Sequence, residues 1–177
     1  SILAHCTIMT DGETTRLQAL GCGVAHCPTA NMTVGGGFMA APIRDFLERG
    51  MKVGLGTDSG GGYSSSILNA MRHALVASFS REAHHEDKPK GLTLEEVFWM
   101  ATMGGAQVVG LGDQVGNFEV GKQFDAVVVD MRSERNGVNA PLLDEDDPRT
   151  MFDKFVMTAD DRNIASVFVR GKNIHSS

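Results

Sequence analysis

Along the first third of the chain, short apolar runs end in a polar or reactive residue and give way to segments with helical spacing. The runs are Ile2-Leu3-Ala4 before His5, Val24-Ala25 before His26, and Val53-Gly54-Leu55-Gly56 before Thr57 and Asp58. That alternation is the rhythm of βαβ units. Runs so uniformly apolar predict strands buried on both faces, as parallel strands are. Between the first two runs, Thr10 stands three residues before Glu13, a capping-box spacing, and Leu17 and Leu20 share a helical stripe that stops at Gly21. Between the second and third, Pro42 predicts a first helical turn. Ile43, Phe46 and Leu47 follow at i, i+3 and i+4, and Gly50 suits the position past the helix end. Ile67, Met71, Leu75 and Phe79 then make a longer stripe, widened by Leu68, Ala74 and Val76, until the charged segment from Arg81 to Lys90 breaks it.

A second capping box, Thr93 with Glu96, opens a helix carrying Leu94, Val97, Phe98 and Ala101, which Gly104-Gly105 is expected to kink before Val108 to Leu111 continue it. From Gly116 the pattern becomes glycine-punctuated and β-branched. It predicts strands at Phe118–Val120 and Ala126–Asp130, a helix over Met151–Thr158, and a hairpin in Val167–Ile174 around Gly171-Lys172. Between them, Ser133 to Arg149, with its acidic run Asp144 to Asp147, reads as a solvated loop. Two regions follow, 1–112 with the βα units and 113–177 with strands of a separate sheet.

With 177 residues, 42% of them hydrophobic and 21% charged, the chain can bury a core. Sixteen Lys and Arg against twenty-two Asp and Glu give a net charge of −6. That is the wrong sign for gathering phosphates, so a dedicated nucleic-acid binder is not expected. No apolar stretch approaches the roughly 18 residues of a membrane span, and no basic-then-apolar leader opens the chain. Three cysteines, Cys6, Cys22 and Cys27, are too few for a disulfide scaffold and read as reduced thiols. These features predict a soluble, cytoplasmic protein without nucleic-acid or membrane partners. Because the chain opens on Ser and runs straight into a strand, it is expected to be part of a longer one.

Three predicted parallel strands each end in a group able to bind a ligand or move a proton: His5, His26 and Asp58. In a (β/α) barrel, that C-terminal edge is the active-site face. One such residue alone is more simply structural; three in register favour a site. Asp58 lies in Gly-Thr-Asp-Ser-Gly-Gly-Gly, where Gly60 and Gly61 let a ligand approach without Cβ interference. These two glycines and His26 are the substrate-binding candidates. The loop lacks the Gly-Lys-Ser/Thr ending of a phosphate loop and the G-x-G-x-x-G of a dinucleotide site. A structural zinc site from His5, Cys6, Cys22, His26 and Cys27 is disfavoured, since strand alternation points each cysteine away from its histidine neighbour. The H-x-E at His84 to Glu86 has no P-C-x-x-C after it, so the cytidine-type deaminases are rejected. His73, within a helix, reads as a surface residue, and His175 lies near the chain's end.

Ala-His-Cys at 4–6, VAHCPTAN at 24–31, VGLGTDSGGGYS at 53–64, VGNFEVGKQFDAVVVD at 115–130 and DDRNI at 160–164 stand in this order. Together they resemble the amidohydrolase superfamily, and within it the guanine deaminase family, over essentially the whole chain. The resemblance implies the C-terminal portion of a distorted (β/α)8 barrel, about three βα units, followed by strands of a small β domain. It also implies a zinc-dependent hydrolase that converts guanine and water to xanthine and ammonia. Three strands taken from a closed barrel would leave two unpaired edges, so a homo-oligomer is expected. Asp58 matches the strand-eight aspartate that binds the metal and shuttles protons. His5 matches the strand-six histidine beside the attacking water and is a possible second ligand, while His26 matches a strand-seven histidine. The family's H-x-H and H-x-x-E are absent from the chain, so the single zinc ion is expected in the longer protein and not in this chain alone. The alternatives are a related deaminase acting on another amino-heterocycle or nucleoside, and a noncatalytic module derived from the fold.

Overall fold

The three apolar runs form a parallel sheet in the order β1 (Ile2–Ala4), β2 (Gly23–His26), β3 (Lys52–Leu55), with Leu3 opposite Val24 and Val24 opposite Val53. The computed structural model describes residues 1–34, 40–86, 88–132, 143 and 146–176. They fall into two compact units, Ser1–Gly116 and Asn117–Ser177.

In the first unit, helix α1 (Asp11–Ala19) starts at the predicted capping box: the Glu13 amide donates to Thr10 Oγ1, and the Glu13 carboxylate accepts from the Thr10 amide at 2.8 Å. It ends before Gly21, whose φ of +62° suits a glycine. A short helix the pattern did not reveal, α2 (Pro28–Thr33), follows β2 directly, with Pro28 in its first turn. Helix α3 (Ile43–Glu48) buries Ile43 and Phe46 as expected; Pro42 stands at its N-cap rather than inside the first turn.

Helix α4 (Ile67–His84) keeps Met71 and Leu75 inside, but its buried face is completed by Ala70, Ala74 and Ala77, and Ile67, Val76 and Phe79 stay exposed. The small residues let α4 lie close to α2 and β3, so the buried face is rotated from the stripe of bulky residues. Helix α5 (Leu94–Trp99) opens on the second capping box and runs into a π-helical turn, Met100–Gly104, then α6 (Gly105–Val108). The two central glycines are there for contact as well as for the wide turn. A Cβ on Gly54 would come within 2.8 Å of the Gly105 Cα, and one on Gly104 within 2.4 Å of the Val53 carbonyl oxygen. Helix backbone therefore rests directly on strand backbone.

The second unit is an antiparallel sheet, β4 (Ala126–Val129), β5 (Ile164–Val169) and β6 (Lys172–Ser176), in that order. Its hairpin turns at Arg170 and Gly171, with φ of +51° and +75°, one residue earlier than predicted. Positive φ at both central positions is the turn that matches strand twist. The predicted strand at Phe118–Val120 does not form. The Lys122 amide donates back to the Glu119 carbonyl at 3.1 Å, its ammonium pairs with the Glu119 carboxylate, and Phe118 packs on Phe124.

Helix α7 (Pro148–Thr158) begins earlier than expected because Asp147 caps it, accepting from the Thr150 amide at 2.7 Å. Asp146 pairs with Lys154, so these two acidic residues are engaged within their own unit. The rest of the predicted acidic loop, 133–142 and 144–145, lies outside the described residues. Met131 and Ala159 form the buried centre, flanked by Val129, Met151 and Phe155. Among the described residues, no helix is long and apolar enough to cross a membrane.

Candidate active site

Parallel pairing puts the C-terminal ends of β1, β2 and β3 on one edge, and the ladder runs one bond beyond the strands on each side of β2. The His5 amide donates to the Ala25 carbonyl at 3.0 Å, and the Gly56 amide to the His26 carbonyl at 2.8 Å. Past this point the backbone leaves ordinary strand geometry: φ is +67° at His5, +46° at Cys6 and +46° at Asp58. Left-handed conformations are uncommon outside glycine, and His and Asp tolerate them better than most. They persist where surrounding structure enforces them, and they cluster at working sites.

The result is a pair. His5 Nε2 lies 3.8 Å from Asp58 Oδ2, and the two side chains are 44% and 43% exposed. That distance is beyond hydrogen-bond range, so the atoms stand side by side, open to solvent, rather than bonded. The other ring nitrogen, His5 Nδ1, is 2.8 Å from Asn31 Oδ1. Asn31 sits on α2, is 4% exposed, and has an Nδ2 that is buried with no partner. Asn31 closes the VAHCPTAN segment, and its place three residues after Pro28 at a helix start is the signal the sequence offers for it.

The loop after β3 folds tightly on Asp58. The Gly62 amide donates to the Asp58 carbonyl at 2.7 Å, and the Gly61 carbonyl accepts from Thr33 Oγ1 of α2 at 2.8 Å. A Cβ on Gly61 would sit 2.8 Å from Asp58 Oδ2, so glycine here is a condition of that carboxylate's position. Gly60 turns the exposed side of the loop with φ of +117°. His73, expected on the surface, instead ties three elements together: Thr29 Oγ1 lies 2.7 Å from its Nδ1, and the Tyr63 hydroxyl 3.0 Å from its Nε2. Burial, then the neighbouring Arg72, holds its pKa below the usual histidine value. These residues line a recess of about 100 Å³ together with Met32 and Val76.

His26 is placed differently. Its ring is 1% exposed, lines a small cavity with Ile43, Arg44, Ala74, Ala77 and Arg81, and leaves Nδ1 without a partner. Burial, with a smaller contribution from His5, pushes its pKa down to about 3, so the ring is neutral. Cys27 lies toward the pair, and its thiol is pushed up by burial and by nearby Asp58. The structure thus joins His5, Asp58 and Gly61 at the strand tips, and sets His26 in the core among the helices.

An imidazole nitrogen and a carboxylate oxygen are donors that zinc accepts, but catalytic zinc takes three protein ligands and a water. Among the described residues, no group of three or more His, Cys, Asp or Glu could hold a metal. The pair fits part of such a ligand set.

The sequence profile of the amidohydrolase family matches residues 1–174. A probable guanine deaminase of Schizosaccharomyces pombe is 43% identical over 172 residues, 97% of this chain and 32% of that protein. The guanine deaminase of Homo sapiens is 37% identical over 176 residues, 98% of this chain and 38% of that protein. Among solved structures, a guanine deaminase from C. acetobutylicum with bound guanine superposes with a TM-score of 0.84 at 29% identity, covering 98% of this chain and 39% of that one. A mutant atrazine chlorohydrolase from Arthrobacter aurescens, complexed with zinc and atraton, gives 0.78 at 27% identity, over 99% of this chain and 36% of that one. The chain thus spans 32% to 39% of the length of these four proteins. Its parallel sheet is the partial barrel that the resemblance implies, and the chain belongs to the amidohydrolase family.

Proposed function

We propose that this chain supplies the strand-six to strand-eight part of the active site of a hydrolytic guanine deaminase. The observation that carries the reading is the meeting of His5 and Asp58 beyond the tips of β1 and β3, the two strands that flank β2, 3.8 Å apart and open to solvent. The guanine deaminases it matches support the substrate. Asp58, with His5 as a possible second ligand, would hold one zinc ion beside ligands from the remainder of the longer protein. The chemistry zinc supplies when bound is acidification of water, whose pKa falls from about 15.7 to about 7.

In this reading the chain's own groups do the rest. Water adds to C2 of guanine, and the bond from C2 to the exocyclic nitrogen breaks, giving xanthine and ammonia. The Asp58 carboxylate takes the proton the water loses and returns it to the departing nitrogen. His5 hydrogen-bonds the attacking oxygen, accepting from the O–H it keeps, and so holds it in place against C2. Gly61 keeps the space over Asp58 clear. A cytoplasmic location belongs to the same proposal. When the chain is expressed alone, the outer edges of β1 and β3 carry no partner strand among the described residues, and self-association through them is expected.

The test is ammonia release from guanine by the intact protein, with other amino-heterocycles as comparison substrates. Asp58→Asn keeps the side-chain volume and removes the anionic proton acceptor, so turnover falls by orders of magnitude while thermal unfolding is unchanged. Near-normal ammonia release by that variant would refute the assignment.

A further inference from the structure

We infer that Asn31 is a positioning residue: by accepting the Nδ1–H of His5, it fixes the tautomer whose bare Nε2 stands beside Asp58. The inference rests on the reading of His5 and Asp58 as the reaction centre and adds how that centre is set. A neutral imidazole has one proton for two nitrogens, and the proton stays where an acceptor is offered. Asn31 Oδ1, at 2.8 Å, can only accept. It therefore holds the proton on Nδ1 and leaves Nε2 with a lone pair, the reverse of the form that a free neutral histidine favours in water.

Two features show that the amide is held for this contact. Asn31 is 4% exposed, and its Nδ2 is buried with no partner, so His5 is the side-chain hydrogen bond its carboxamide makes. The helix carrying it is fastened on both sides, by Thr33 Oγ1 to the Gly61 carbonyl and by Thr29 Oγ1 to His73. Asn31 thus has little freedom to turn away. The consequence reaches Asp58. A proton on Nε2 would draw the imidazole and the carboxylate across their 3.8 Å gap into a hydrogen bond, occupying the lone pair that must receive the water's proton. With Nε2 bare, His5 accepts from the attacking water, and Asp58 remains open to its own proton transfer.

The direct test is the long-range 1H–15N spectrum of the full chain labelled at histidine, with His5 assigned by its loss in His5→Gln. Wild type shows His5 protonated at Nδ1 and bare at Nε2. Asn31→Leu, of similar size but without an acceptor, reverses the pattern, and Asn31→Asp retains it. A wild-type His5 protonated at Nε2, or an Asn31→Leu spectrum identical to wild type, overturns the inference. If Asn31→Leu fails to fold, Asn31→Asp decides, because loss of the Nδ1–H signal there is equally fatal.

In the intact protein, Asn31→Leu lowers kcat about ten- to hundredfold, the usual effect of removing such a supporting contact. KM changes little, and Asn31→Asp restores most of the loss. Wild-type kcat in Asn31→Leu, with wild type releasing ammonia from guanine, defeats the inference alone. No ammonia release by wild type defeats the deaminase reading, while the spectrum still decides the tautomer.

Discussion

Burial takes the His26 ring out of water without giving Nδ1 a partner, and the pKa falls from the ordinary 6.5 to about 3. The unfolded chain therefore takes up a proton as pH drops through 6.5, while the folded chain does not until about 3. Stability from this residue is full above pH 6.5 and drains away below it, by about 2 kcal/mol between pH 7 and pH 5. Urea midpoints at those two pH values, compared between wild type and His26→Gln, isolate the effect, because the variant lacks the titrating ring. Equal pH dependence in the two proteins would remove His26 from the account. At this scale, His5 and Asp58 were legible because each closes an apolar run. His26 closes one too, yet the pattern does not say which side of the sheet a strand's last side chain takes. Asn31 and His73 were not legible as contacts, since the bonds from Asn31 to His5 and from His73 to Thr29 each span more than 20 positions.

Among the elements, α2 does more than its six residues announce, because it touches His5 through Asn31, the Asp58 loop through Thr33, and α4 through Thr29. Nothing apolar recurs along Pro-Thr-Ala-Asn-Met-Thr at helical spacing, so periodicity passes over it. The parallel strands were visible for the opposite reason, as unbroken apolar runs. Val24 and Val53 are fully buried as such runs predict, whereas the edge strand β1 is largely exposed, with Ile2 51% accessible, because no strand covers its outer side among the described residues. Helix α4 was found but misoriented, since alanines bury well without marking a stripe. The strand-to-helix contact allows a paired prediction. Gly54→Ala drives a methyl into the Gly105 backbone and costs about 1–3 kcal/mol. Gly12→Ala in exposed α1, with nothing within 4 Å, stabilises by about 0.5–1 kcal/mol. Denaturant unfolding of the two variants gives both signs, and a neutral Gly54→Ala would contradict the packing described for β3.

On the scale of the molecule, the chain covers 32% to 39% of the length of the guanine deaminases named above. Its described residues bring together two zinc-type donors at the strand tips. Two donors leave most of a zinc ion's coordination to water and bind it weakly. The 177-residue chain, purified alone, is therefore expected neither to retain zinc at one per chain after dialysis nor to release ammonia from guanine. Metal content by mass spectrometry beside an ammonia assay checks both. Stoichiometric zinc with turnover would mean that this chain supplies ligands beyond the pair.

The contact between Gly54 and Gly105 also bears on how a lineage carrying this fold can drift. The atom a new side chain at 54 would strike is main chain, 2.8 Å away, not a neighbouring side chain. No second substitution can shrink a Cα, so relief requires the whole helix to move away from the strand. Position 54 is thus closed to gradual exchange, whereas position 12 in the same unit, with nothing within 4 Å, has room for one, so the tolerance of a glycine here is set by what backbone faces it rather than by the residue type.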